Sequence, residues 1–81
     1  MEIIFSGEFR QEFKKIKDKT TRLKIISHIK KLELLPESGK PLQYNLKNHR
    51  SIRIPPFRLI YRLEKDKITI NCFDHRKNVY D

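Results

Sequence analysis

At 81 residues the chain has room for one domain, residues 1–81, with a thin core. Its 19 Lys and Arg against 10 Asp and Glu leave a formal charge of +9, a field that attracts polyanions and repels cationic partners. A single cysteine, Cys72, excludes an internal disulfide, and no apolar run approaches the length of a signal peptide or a membrane span, so the expected location is the cytoplasm.

In chain order, Ile3, Ile4 and Phe5 predict a short opening strand. Ser6 suits a helix N-cap, and Glu8 would lie near the positive end of that helix. Phe5, Phe9, Phe13 and Ile16 are spaced by four, four and three. That spacing lines one face of a helix ending near Lys17 or Lys19. Thr20 or Thr21 would cap a second helix in which Ile25, Ile29 and Leu32 share a face, with Ile26 beside them. Arg22, Lys24, Lys30 and Lys31 take the opposite face, and Pro36 and Gly39 stop the helix. A link of two or three residues predicts an antiparallel helix hairpin.

Glu37 to His49 reads as a long polar connection in which Leu42, Tyr44 and Leu46 can tether the loop to the core. Period two then takes over. Ile52 and Ile54 oppose Ser51 and Arg53, and Leu59, Tyr61 and Leu63 oppose Arg58, Ile60 and Arg62. Pro55-Pro56 breaks the run between strands. Lys65-Asp66 is a hairpin candidate. Ile68, Ile70 and Cys72 form the apolar set of the last strand, with Cys72 as a buried structural thiol. The expected fold is α+β in the order β-α-α-β-β-β, an antiparallel-rich sheet with a two-helix hairpin on one face.

The charge distribution points to a function. From Ser38 to Leu63 there is no acidic residue, whereas Lys40, Lys47, Arg50, Arg53, Arg58 and Arg62 all fall there. A solvated face usually mixes both signs. Alternation puts Arg53, Arg58 and Arg62 on the sheet face away from the helices, where rigid strands can aim planar guanidinium forks at phosphate. Past the last strand, His75 offers a group that titrates near neutrality, and Tyr80 a ring that can stack on a base.

The strand order, the run Arg53-Ile-Pro-Pro-Phe-Arg58-Leu-Ile-Tyr61 and the closing His75-Arg76-Lys-Asn-Val-Tyr80 together resemble the RelE/ParE toxin superfamily, and its RelE branch in particular. The resemblance implies a RelE-like fold and a cytosolic toxin that cleaves mRNA in the ribosomal A site. It also implies a cognate RelB-like antitoxin, acidic or carrying an amphipathic helix. By position, Arg53 resembles the basic residue of the second strand, and Arg58 the arginine that stabilises the scissile phosphate. Arg76 resembles the arginine after the last strand, and Tyr80 the terminal tyrosine near the RNA. Members with two lysines on the second strand contrast with Ser51 and Arg53 here.

Arginine stays protonated at any ordinary pH and makes a poor base. We therefore expect Arg53, Arg58, His75, Arg76 and Tyr80 to form the catalytic set, with His75 moving the proton and His49 as the other base candidate. Lys47, His49, Arg50, Ser51, Arg62 and Lys77 are the expected RNA contacts. No metal or other cofactor is expected, because no acidic cluster accompanies the arginines. Two other readings share the fold or the charge. One is a ParE-like inhibitor of DNA gyrase. The other is a non-enzymatic nucleic-acid module, which would want aromatic residues interleaved on the sheet. That face offers only Ile60 and Phe73.

Overall fold

Seven elements follow one another in the computed structural model, which describes residues 1–42 and 47–75, without the side chains of Asp74 and His75. They are β1 (Glu2–Phe5), α1 (Gly7–Lys15), α2 (Lys19–Leu34), β2 (Lys40–Pro41), β3 (His49–Ile54), β4 (Phe57–Glu64) and β5 (Lys67–His75). Ser6 caps α1, its hydroxyl accepting from the Phe9 N–H at 3.0 Å. The helix stops at Lys15, earlier than the apolar spacing suggests, because Ile16 turns to an extended ψ of 110°. Asp18, rather than Thr20 or Thr21, caps α2 by accepting from the Thr21 N–H at 3.0 Å and from its hydroxyl. The Thr21 hydroxyl and then its N–H hold the Asp18 carboxyl below its ordinary range. A carboxylate beside the helix N-terminus outcompetes a threonine hydroxyl for this role.

The sheet runs in the order β1-β5-β4-β3-β2. β1 lies parallel to β5, and every other neighbouring pair is antiparallel. β2 sits inside the stretch read as a structureless connection. It pairs Lys40 with Ser51 and Pro41 with Arg50, a two-residue edge strand with no alternation to announce it. Tyr44 and Leu46, the other expected tethers, lie outside the described residues. Pro55 and Pro56, joined by a cis peptide, form the turn between β3 and β4. Lys65 and Asp66 make the next turn, with Lys65 at φ 30°.

Both helices pack on one face. Phe9, Ile25, Ile29 and Leu32 meet Ile54, Leu59, Tyr61, Ile68, Ile70 and Phe73 in the core. The last strand departs from simple alternation. Tyr61 pairs with Ile70 but Ile60 pairs with Cys72, so Asn71 is an extra residue in β5. This bulge turns the following residues over. Cys72, expected in the core with Ile68 and Ile70, is instead half-buried opposite Ile60, and Phe73 takes the inward place. Phe73 packs its ring 5.0 Å from Phe9 and 5.5 Å from Phe57. An aromatic ring buries far more apolar surface than a thiol, which favours the switched phase. Two bonds hold it, one from α1 and one from its N-cap: the Glu12 carboxylate accepts from the Phe73 N–H at 2.9 Å, and the Ser6 hydroxyl donates to the Asn71 carbonyl.

Tyr61 anchors the opposite side of the core. Its buried hydroxyl donates to the Pro36 carbonyl at 2.7 Å and accepts from the Gly39 N–H at 3.0 Å. Burial pushes the phenol above its ordinary 10.0. Gly39 has no room for a side chain, since a Cβ there would stand 2.6 Å from the Tyr61 hydroxyl. Between β1 and the two helices, Ile3, Phe5, Phe9, Phe13, Ile26 and Ile29 line an apolar depression of about 600 Å³.

Candidate phosphate-binding face

The β3–β4 hairpin places Arg53 directly across from Arg58, because the Pro55-Pro56 turn pairs Ile54 with Phe57 and fixes every residue behind it. Directly opposed residues in an antiparallel pair have Cα atoms about 4.5–5.5 Å apart. Both arginines lie on the face away from the helices. Arg53 is exposed, whereas Arg58 is only 7% exposed. An anion received between the two would meet both guanidinium forks, which suit the oxygens of a phosphodiester.

Ser51 stands two residues before Arg53 on the same face, only 5% exposed between Lys40 of β2 and Ile60 of β4. On the other flank of Arg58 the strand register brings Asp74, not His75. The sequence reading missed this position because the bulge at Asn71 resets the pairing. His75 pairs through its backbone with Phe57, and its side chain lies outside the described set. Arg76, Lys77 and Tyr80 also lie outside the described residues.

The remaining candidates are spread out. His49 pairs with Arg62 at the far end of the hairpin. Four residues of strand separate them from Arg53 and Arg58, about 13 Å. The His49 ring sits 2.9 Å from the Lys47 carbonyl, to which its Nδ1 donates. The Arg62 Nε lies 3.5 Å from the Glu64 carboxylate, an ion pair with its own local partner. Lys47 is exposed in the turn before β3. Arg50 belongs to the other side of the strand. Its Nη1 donates to the Glu37 carbonyl at 3.1 Å and the Gly39 carbonyl at 2.8 Å, beside Tyr61. That position follows from period two, since Arg50 is out of phase with Ser51 and Arg53. Phe73 is in the core, so the face does not carry it as a stacking ring.

Comparison with known proteins agrees with this architecture. Residues 3–80 match the profile of the family described as ParE toxin of type II toxin–antitoxin system, parDE. The chain superposes on the YoeB/ParE toxin from Agrobacterium tumefaciens with a TM-score of 0.81 at 18% identity, covering 93% of this chain and 98% of that one. For the RelBE2 toxin–antitoxin complex from Mycobacterium tuberculosis the TM-score is 0.79 at 25% identity, over 93% and 96% of the two chains. For the YoeB dimer from Staphylococcus aureus it is 0.76 at 26% identity, over 93% and 95%. The curated proteins yielded no sequence relative.

Proposed function

This chain belongs to the ParE toxin family of type II toxin–antitoxin systems, and we propose that it acts as a ribosome-dependent endoribonuclease that cuts mRNA in the A site and so arrests translation. The observation that carries this reading is the opposed pair Arg53 and Arg58 on the helix-free face. Cleavage needs the RNA 2′-hydroxyl to attack the adjacent phosphate, so negative charge grows on the phosphate oxygens. Fixed cations aimed at that charge lower the barrier without reorganising. Arg58, held in a buried strand position, is the better preorganised of the two, and exposed Arg53 closes on the phosphate from the neighbouring strand.

Arg76 and Tyr80 would join from the chain that follows β5, Arg76 adding charge and Tyr80 stacking on a base. His75 would take the proton of the attacking hydroxyl. His49 is the weaker base candidate, because its end of the hairpin is about 13 Å from the arginine pair. Lys47, Ser51, Arg62 and Lys77 would contact the RNA around the cut, and Arg50 would support the β3 edge. The ribosome would supply the alignment of the attacking hydroxyl, which is worth many orders of magnitude in rate. No metal is required, and the setting is the cytoplasm.

Among the similar structures are complexes of RelE with RelB and of YoeB with YefM. By analogy this chain would be neutralised by a cognate antitoxin, acidic or carrying an amphipathic helix, whose arrival the +9 charge would accelerate.

The match to the ParE profile favours a second reading, inhibition of DNA gyrase. Inducible expression with sequencing of mRNA 5′ ends separates the two. Cuts at codon boundaries in the wild type, lost in Arg58→Ala, are expected for the nuclease. Growth arrest with a DNA-damage response and intact mRNA would instead assign the chain to gyrase.

A further inference from the structure

A second concave site lies around the edge of the sheet from the arginine pair. It is a cleft of about 280 Å³ between the last turns of α2 and the β2–β3 edge, lined by His28, Lys31, Ser38, Lys40, Ser51 and Arg53. Three cations and two hydroxyls converge there, and among the described lining residues there is no carboxylate. Each cation has a defined origin. Lys40 is fixed by the pairing of β2 with Ser51, and Arg53 stands two residues further along β3. Lys31 lies in the last turn of α2.

A cation in a last helical turn is accounted for by the negative end of the helix. That explanation covers Lys31 alone, since Lys40 and Arg53 stand on strands. β2 covers β3 only at Arg50 and Ser51, so the cleft stays open along the outer edge from Ile52. Arg53 belongs to both places: it faces Arg58 across the hairpin and also lines the cleft.

We propose that this cleft is a second phosphate subsite, which grips a single-stranded RNA backbone at a phosphate next to the one held between Arg53 and Arg58. The proposal rests on the nuclease reading for the identity of the polyanion, but it assigns residues with no part in that reading: His28, Lys31, Ser38 and Lys40. Arg53 bridges the two subsites, so the strand crosses the hairpin from Arg58 to Arg53 and turns over the β3 edge toward Lys40 and Lys31. Lys31 and Lys40 supply charge, while the Ser38 and Ser51 hydroxyls and the His28 ring supply hydrogen bonds. Such contacts set the register of the RNA and carry no sequence preference.

The test is binding of a short fluorescent single-stranded RNA to the purified chain, followed by anisotropy across a salt series. Each phosphate contact to a single strand contributes about 0.7 to the slope of log affinity against log salt. Lys31→Gln with Lys40→Gln should therefore flatten the slope by about 1.4 and weaken binding about 25-fold near 0.1 M salt. Lys14→Gln with Lys17→Gln removes the same charge from another surface and should keep the wild-type slope. Lys31→Arg with Lys40→Arg should keep it too, which guards against a folding defect.

Equal slopes for the cleft pair and the control pair would overturn the subsite. So would a cleft pair that keeps its RNA slope but loses affinity for the co-expressed antitoxin, since the cleft would then serve a protein. The mRNA 5′-end experiment with Arg58→Ala reports on cleavage separately. Lost slope without any mRNA cutting would refute the nuclease and leave the subsite standing.

Discussion

Replacing Tyr61 by Phe removes one oxygen atom from a fully buried ring and leaves the apolar packing in place. That oxygen joins β4 to the loop after α2 by two bonds, to the Pro36 carbonyl and from the Gly39 N–H. Gly39 is buried, and a buried N–H stripped of its acceptor costs about 1–3 kcal/mol. The Pro36 carbonyl is half-buried and can turn to water, so its loss adds a fraction of that. We expect a loss near 2 kcal/mol, or about 8–16 °C in Tm for a domain of this size. Urea unfolding with an unchanged m-value should give the same figure as the melt. A Tyr61→Phe protein within 0.5 kcal/mol of wild type would mean that the loop finds other partners and that Tyr61 is held by packing alone.

The same hydroxyl gives a pH dependence. Its folded-state pKa is raised, chiefly by burial, so its contribution to stability is complete below pH 10 and disappears as pH climbs through the folded value. The urea midpoints of wild type and Tyr61→Phe should converge in that range, and a constant gap would contradict the assignment. Glu12→Ala strips the Phe73 N–H of a charged acceptor and should cost about 1.5–3 kcal/mol by urea unfolding. Arg58→Ala should lower mRNA cleavage on ribosomes by about 10²–10³-fold, as loss of one preorganised charge-stabilising group does elsewhere, and Arg58→Lys should recover part of it. His75→Gln should slow cleavage on ribosome-bound mRNA; an unchanged rate would remove the histidine from proton transfer.

Much of the fold can be read from residue spacing. Phe9, Ile25, Ile29 and Leu32 reach the core as helical periodicity predicts, and Ile54, Leu59, Tyr61, Ile68 and Ile70 do so by strand alternation. The opposition of Arg53 and Arg58 follows from a two-residue turn at Pro55-Pro56. What escapes a linear reading is set by tertiary contacts. β2 exists because β3 offers Lys40 and Pro41 a ladder, not because those residues prefer strands. The place of Cys72 depends on one extra residue stabilised by Glu12 and Ser6, 60 and more positions away in the chain. Lys31 looks like an ordinary solvated lysine, and Lys40 like one more charge of the basic run, until α2 and β3 are brought side by side. Arg50 is the converse: it belongs to the basic run in sequence but is committed to two loop carbonyls.

The extra residue in β5 makes the strand's two halves run half a repeat out of step, so a single position sets both the packing of the core and the pairing beside Arg58. Were Asn71 paired with Ile60 instead of bulged, Cys72 would take the inward place opposite Leu59, Phe73 would face outward opposite Arg58, and every residue beyond would pair one place out of register. His75, Arg76 and Tyr80 all lie downstream of that point in the chain. Changes that look remote, in the first helix at Glu12 or at Ser6 before it, therefore reach the basic face through the pairing of Asp74 with Arg58.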